Sequence, residues 1–464
     1  MLQIGFKTYL QIVLIIEFEL YLKPMQFIIV TMDEYWKVLQ DFRTLTDVSP
    51  KKTNNVEMTQ EQQLAIDLVK KGKSVFLSGR AGSGKSFTIT QIIEWAKKEK
   101  IKVGTTATTG ASALLIGGQT IQSFLGIGSG SKNASEMTEL LFSRPRKLHL
   151  LRTLQILIID EISMMNATLF DKISQVLCNI RSNSKPFGGI QVILCGDFSQ
   201  NCPIDEQFCF MANAWQDDYI TPIFLKRFMR QNDDVEFQEI LESIRYGKIT
   251  KAILQKLEEL KHTQFPDDID PTILFSTNLK ADAINDAKFK ELVAKGAKSK
   301  TFEISTKGEN GTGWAESSKI PDKIDLCIGA QVMITHNISI EEKLINGTRG
   351  EIVGFSPHPI IQIQGKTERV VIKPHTIKCE NSPSDSIMFI PLKLAWALTI
   401  AKSQGCTLDY CVIDLASSVY GQAYTALSRV RSLNHIKIIG EIKANYFIAS
   451  PEVIAFYNEC FYES

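Results

Sequence analysis

The sequence predicts an α/β protein with two doubly wound parallel sheets and a small β-barrel inserted in the second, and three observations carry that prediction. Short apolar, β-branched runs at 74–77, 101–106, 156–159 and 190–195 alternate with amphipathic segments of helical period, the pattern of successive βαβ units. A second series begins near Thr221, with Thr272-Ile273-Leu274-Phe275 and Cys411-Val412-Ile413-Asp414 as its clearest strands. Between these two runs, residues 320–385 change texture. Gln331–Ile334, Gly350–Phe355, Ile360–Ile363 and Arg369–Ile372 are short strands separated by Gly, Pro and Asn, and Asn346-Gly347 reads as a hairpin turn.

At 464 residues the chain has room for two or more domains with sizeable cores. Its net charge of +1 excludes a bulk basic field, so any nucleic-acid binding must come from a local groove. Nine cysteines without a C-x-x-C pair argue against a metal cluster or disulfide framework and for reduced thiols inside a cell, in nucleus or cytoplasm. His336, His358 and His375 read as surface or core histidines rather than ligands.

In chain order, residues 1–57 read as an N-terminal segment and linker. Tyr9–Ile16 is apolar but interrupted by Glu17 and Glu19, shorter than the ~20 residues a membrane span needs, and not followed by a small-residue cleavage site. Translation from Met32, or a small docking helix, accounts for residues 1–31, with an ordinary charged helix over Asp33–Phe42 and a polar linker over 46–57. The first sheet unit spans 58–220. Within it, Gly79 to Ser86 fit G-x-x-x-x-G-K-[ST] between a strand and the helical run Ile89–Lys98, the context of a phosphate-binding loop. Backbone N–H groups of Gly79, Arg80, Ala81, Gly82, Ser83 and Gly84 are expected to cradle phosphates, Lys85 to reach the outer ones and Ser86 to hold Mg2+. Leu157-Ile158-Ile159-Asp160-Glu161 is the matching second motif: Asp160 for Mg2+, Glu161 to polarise the attacking water. Standing alone, a strand ending in two acids would read as a solvated end. A third strand ends in Gly196-Asp197-Phe198-Ser199-Gln200, where Gln200 either senses a γ-phosphate or sits in a plain turn.

Further segments resemble the Pif-one family of superfamily 1B DNA helicases, related to the RecD helicases. They are Thr106–Ala113, Gly117–Phe124, Pro186–Gln191, Phe228–Gln231, Leu344–Gly350, Lys402–Gly405 and Ala423–Arg429, in family order from about Met58 to Ile439. The stretch Lys172–Gly189 resembles the signature separating this family from other superfamily 1 helicases. The resemblance implies RecA-like motor domains over 58–220 and over 221–319 with 386–464, a wedge insertion near 128–150, and an SH3-like barrel at 320–385.

By the same resemblance, Gln62 reads the adenine edge, Gly405 lies at the nucleotide, and Arg230 and Arg429 reach the γ-phosphate from the second unit. Thr108, Thr109, Ser123 and Phe124 on the first unit and Thr277, Asn278, Lys402 and Ser403 on the second are implied to grip single-stranded DNA. For each single Ser or Thr, a helix cap or turn is an equal reading. Phe142-Ser143-Arg144-Pro145-Arg146-Lys147 lies at the wedge position. The sequence departs from the family at Gln122 and Ala401, where histidine is usual, and at Asn201-Cys202-Pro203, where Leu-Pro-Pro is usual. The implied function is that of an ATP- and Mg2+-dependent, monomeric 5′–3′ helicase acting on single-stranded and forked DNA. Replication, repair or recombination is the setting, and replication or repair proteins are further partners. A non-unwinding translocase, a helicase subunit of a repair complex and a superfamily 1 RNA helicase remain alternatives.

Overall fold

The computed structural model describes residues 58–464 except 204–206, 217, 232, 267–270, 309–319, 337, 340–341, 343, 345–347, 365–366, 379–385 and 462–464. The expectations for residues 1–57 and for the Asn346-Gly347 turn lie outside the described residues.

The chain enters the fold through α1 (Gln60–Lys70), whose start is fixed by a reciprocal cap: Thr59 Oγ1 accepts from the Gln62 backbone N–H while Gln62 Oε1 accepts from that of Thr59. The first sheet follows. β1 (Ser74–Gly79) leads to α2 (Lys85–Lys98), β2 (Val103–Ala107), α3 (Gly110–Leu115), the two-residue β3 (Gln119–Thr120) and the single-turn α4 (Ile121–Leu125). Two short helices, α5 (Ala134–Phe142) and α6 (Pro145–Thr153), precede β4 (Ile156–Asp160), α7 (Ala167–Arg181), β5 (Gln191–Cys195) and β6 (Ile220–Leu225). The strands are parallel and ordered β3-β2-β4-β5-β1-β6. Because side chains alternate along a strand, Phe76, Leu157, Ile159 and Leu194 face one core, while Val75, Leu77, Ile158 and Ile193 face the other. Burial on both faces is what the uninterrupted apolar runs require.

Two expected boundaries move. The segment at 220–225, taken as the start of the second unit, pairs with β1 along its whole length, from Ser74 opposite Ile220 to Gly79 opposite Leu225. Strand order in space is not chain order, so the first sheet closes on its last strand. The second unit therefore starts with α8 (Val235–Arg245) and continues through α9 (Lys251–Glu259), β7 (Thr272–Phe275) and α10 (Asn278–Ala294).

The inserted region is also wider than 320–385. It runs through β8 (Ser299–Glu303), β9 (Ser305–Lys307), β10 (Lys323–Cys327), β11 (Gln331–Ile334), β12 (Arg349–Ser356), β13 (His358–Ile363), β14 (Arg369–Val371), β15 (His375–Lys378), β16 (Ser386–Phe389) and β17 (Leu392–Leu394). These form three antiparallel sheets, ordered β10-β8, β14-β13-β12-β11-β17 and β15-β16-β9. β8, β9 and β17 supply pairing edges from outside the expected limits. The strands β8 and β9 are mostly exposed and polar, which hides them from a search for apolar alternation.

The second parallel sheet then completes as β18 (Ala397–Thr399), β19 (Cys411–Asp414), α11 (Gln422–Leu427) and β20 (Ile436–Ile439), in the order β18-β7-β19-β20. The closing helix α12 (Pro451–Phe461) returns to the first unit: Val453 and Tyr457 are buried in the core that holds Phe76 and Phe198. Residues 451–461 therefore pack with the first sheet although they follow the second. Among the described residues no helix is long and apolar enough to cross a membrane.

Candidate active site and nucleic-acid interface

The phosphate loop connects the end of β1 to the start of α2, so the first-turn N–H groups of α2 open onto the same space as the loop. Gly82 and Gly84 have φ of +74° and +89° and cannot be replaced for a second reason as well. A Cβ on Gly82 would lie 2.5 Å from Arg230 Cβ, and one on Gly84 2.7 Å from Gln62 Nε2. Lys85 Nζ donates to the carbonyls of Gly79 and Arg80 at 2.9 and 3.1 Å, folding over the loop. Ser83 Oγ is buried without a hydrogen-bond partner inside this cradle. A helix start, backward-curved glycines, a lysine and an orphaned hydroxyl together fit a polyphosphate.

Residues from both sheets meet here, around a cleft of about 320 Å³ lined by the loop, Glu161, Gln200, Arg230, Gly405 and Arg429. Arg429 is buried; its Nη2 donates to Gln200 Oε1 at 3.0 Å and its Nε to the Thr425 carbonyl at 2.7 Å. Arg230 Nη1 donates to the Ser428 carbonyl at 2.7 Å. Burial, then the neighbouring Arg429, pulls the Arg230 guanidinium down to about 9. Two cations held together at low dielectric favour an anion between them.

Opposite, Asp160 ends β4 fully buried. Burial and the adjacent Glu161 push its carboxyl up to about 7 against the opposing pull of Lys85. Glu161 holds φ +53°, left-handed for a residue with a side chain, and Thr108 Oγ1 donates to its carbonyl at 2.8 Å. Gln404 Nε2, from the second unit, donates to Glu161 Oε2 at 2.9 Å.

The predicted site residues do not all face this space. Gln62 is buried beside Gly84 rather than solvated. Arg80 contributes its carbonyl to Lys85, but its side chain turns to the second unit, pairing with both carboxylate oxygens of Glu242 at 2.7 and 2.9 Å. Arg80 thus clamps the loop to α8, a role the loop pattern does not encode.

On the expected strand path, Ser123, Thr277, Asn278 and Lys402 are exposed, and Lys402 Nζ donates to Asn278 Oδ1 at 3.0 Å. The others are occupied. Thr108 holds Glu161, Thr109 Oγ1 accepts from the Ser112 backbone at the start of α3, and Ser403 is fully buried with its hydroxyl on the Ile400 carbonyl. Phe124 is a core ring; Lys147 lies 5.6 Å from its centroid and donates to its carbonyl. Within the wedge segment Phe142 is half-exposed, while Arg144 and Lys147 bind back to Gly126 and Phe124.

Sequence reasoning missed Lys393. Burial and the Lys402 ammonium beside it push its amine down to about 7. It also missed a buried ion pair, Arg245–Asp197 at 3.1 Å, in which Tyr457 of α12 donates to the same carboxylate oxygen. Burial alone would raise the Asp197 carboxyl; Arg245 holds it below its ordinary value. Arg245 looks like a surface residue in a charged helix, and only tertiary contact reveals it.

Comparison with known proteins agrees with this arrangement. The PIF1-like helicase family profile matches residues 57–254. The chain is 32% identical over 415 residues to the ATP-dependent DNA helicase Pif1 of Bdellovibrio bacteriovorus, a match covering 88% of this chain and 93% of that one. The chain belongs to the PIF1-like helicase family. It is 35% identical over 418 residues to ATP-dependent DNA helicase PIF1 of Danio rerio, covering 86% of this chain but only 64% of that relative, so it spans under two thirds of that PIF1 protein. The crystal structure of the Bacteroides Pif1 helicase in complex with ADP-AlF3 and ssDNA superposes with a TM-score of 0.73 at 28% identity, over 88% of this chain and 98% of that one. The PIF1-like fold therefore extends over both parallel sheets and the inserted strands.

Proposed function

We propose that this protein is an ATP-dependent DNA helicase that uses Mg2+ and steps 5′ to 3′ along single-stranded DNA, opening duplex or forked DNA in replication, repair or recombination. The observation that carries the reading is the meeting of the phosphate loop and Lys85 from one sheet unit with Arg429 from the other and Arg230 from the segment that joins them, in one cleft. A nucleotide seated there is held from both sides, so its arrival draws the units together and its hydrolysis releases them.

Ser86 and Asp160 are the residues to hold Mg2+, which when bound neutralises phosphate charge. Burial and Glu161 raise the Asp160 carboxyl, and a carboxylate must be deprotonated to hold a cation, so binding the metal would release any proton it carries. Glu161 takes a proton from the attacking water as the water oxygen bonds to the γ-phosphorus and the bond to the ADP oxygen breaks. Arg230 and Arg429 take up the charge that develops, with Gln200 holding Arg429 in place. Gln62, buried beside Gly84, is the residue we assign to the adenine edge. The exposed Ser123, Thr277, Asn278 and Lys402 offer hydroxyl, amide and ammonium contacts suited to sequence-independent phosphate binding. The relative solved with ADP-AlF3 and ssDNA supports this pairing of nucleotide and strand.

Strand displacement tests the reading. With ATP and Mg2+, a duplex with a 5′ single-stranded tail is expected to be unwound and one with only a 3′ tail to be left intact. ATP hydrolysis stimulated by single-stranded DNA without displacement from any tail would replace the helicase with a translocase. Preference for RNA tails would replace DNA as substrate.

A further inference from the structure

We propose that Asn201 and Gln404 form a positioning pair for Glu161, with Asn201 setting the orientation of the Gln404 amide and Gln404 holding the Glu161 carboxylate toward the cleft. The inference rests on the ATP-hydrolysing reading above and adds a residue pair to that site. Gln404 is 1% exposed and Asn201 6%, so neither amide exchanges partners with bulk water. Gln404 Nε2 donates to Glu161 Oε2 at 2.9 Å and to Ser163 Oγ at 3.3 Å; Gln404 Oε1 accepts from Asn201 Nδ2 at 2.8 Å.

Chemistry fixes the direction of this chain. An ionised carboxylate only accepts, so the Gln404 amine faces Glu161, its oxygen faces Asn201, and Asn201 presents its amine. Asn201 directly follows Gln200, which accepts from Arg429. One turn after β5 thus holds two side chains of the second unit, one on each arm of the site. An apolar residue at 201 supplies no donor, leaving the Gln404 amide free to turn its oxygen onto the carboxylate.

The test is steady-state ATP hydrolysis with saturating single-stranded DNA for wild type, Asn201→Leu, Asn201→Asp, Gln404→Met and the Asn201→Leu/Gln404→Met double variant, with Lys85→Ala as the inactive reference. Each single variant is expected to lose about tenfold in kcat, part of the roughly 10²–10⁴ that a positioned base contributes, with KM for ATP within about twofold of wild type. The double variant is expected to lose no more than Gln404→Met alone, because both changes break one chain. The near-isosteric Asn201→Asp demands a donor from Gln404 and so loses kcat without a packing change, which covers the case of a poorly folded leucine variant. Wild-type kcat in Asn201→Asp, or losses that multiply in the double variant, would overturn the pair. Absence of Lys85-dependent hydrolysis in the wild-type protein would overturn the ATP reading itself.

Discussion

Arg429 Nη2 lies 3.0 Å from Gln200 Oε1, joining the helix end of the second sheet unit to the turn that leaves the first. The arginine is fully buried and its Nε is held by the Thr425 carbonyl. Its fork is therefore held before any ligand arrives, which under the proposed mechanism would lower the reorganisation needed at the transition state.

Arg429→Lys keeps the positive charge and loses the fork. ATP affinity, read by fluorescent-nucleotide titration, is expected to stay within a few-fold. Single-turnover hydrolysis is expected to fall by about 10³ or more, the lower range for an arginine that reaches a phosphate across a cleft. Hydrolysis at wild-type rate would place Arg429 outside the reaction.

Asp160 links the site to pH. Its folded-state carboxyl is raised to about 7, above its unfolded value, by burial and by Glu161. The folded state then binds more protons than the unfolded one between about pH 4 and 7, so this group lowers stability as pH rises through that window. Asp160→Asn is expected to raise the melting temperature of the nucleotide-free protein at pH 8 more than at pH 5. It should also abolish the Mg2+-dependent part of the stabilisation that ATP confers. Thermal unfolding at the two pH values, with and without Mg-ATP, reads both effects.

Much of this site was legible in the sequence, and the limits are physical. Lys85, Asp160 and Glu161 sit in short contiguous patterns whose local geometry a strand and a loop dictate. Arg230 and Arg429 came only through family resemblance, since nothing local marks an arginine as reaching across a cleft. The pairing of the Arg80 side chain was not foreseen because a loop pattern specifies backbone and not the direction of an outward side chain; Glu242 decides that. Ser403 and Phe124 were expected at the strand and are buried, because one-letter order does not reveal which face of a turn or helix is covered. The fold followed the same rule. The buried strands β1, β4 and β5 were plain as apolar runs, whereas β6 was placed in the wrong unit and β8 and β9 were invisible, since pairing between distant segments leaves no local trace.

Lys393 and Lys402 bring two ammonium groups together beside Asn278, with Asp282 as a weaker opposing charge. A phosphate placed there would relieve their repulsion. Lys393→Gln is expected to weaken single-stranded DNA binding, and the slope of log affinity against log salt should become shallower by about 0.7, one phosphate contact on a single strand. The lysine is lowered in the folded state, so its protonation favours unfolding below its unfolded pKa, most fully below about pH 7. The variant should therefore melt higher than wild type near neutral pH. An unchanged salt slope would remove Lys393 from the strand path.

The inserted strands provide a test of the revised limits. Excising 321–385 leaves β8 and β17 without their partners β10 and β11 and takes β15 from the edge of β16, and is expected to give an aggregating protein. Excising 298–395 with a flexible linker removes all three small sheets and leaves β7 and β18 paired. That shorter protein is expected to unfold cooperatively and to keep Lys85-dependent ATP hydrolysis. Cooperative unfolding of the 321–385 deletion instead would restore the narrower boundary.

The central claim is that the phosphate loop and the residues opposite it form a DNA-driven ATP-hydrolysing site, and the most direct measurement is phosphate release by wild type and Lys85→Ala with and without single-stranded DNA. Lys85 Nζ folds onto loop carbonyls rather than holding the core, so the variant should fold and keep its DNA affinity. The account predicts hydrolysis by wild type that rises with added single-stranded DNA, and a rate in Lys85→Ala below about a hundredth of it. Equal, DNA-insensitive hydrolysis by both proteins would contradict it.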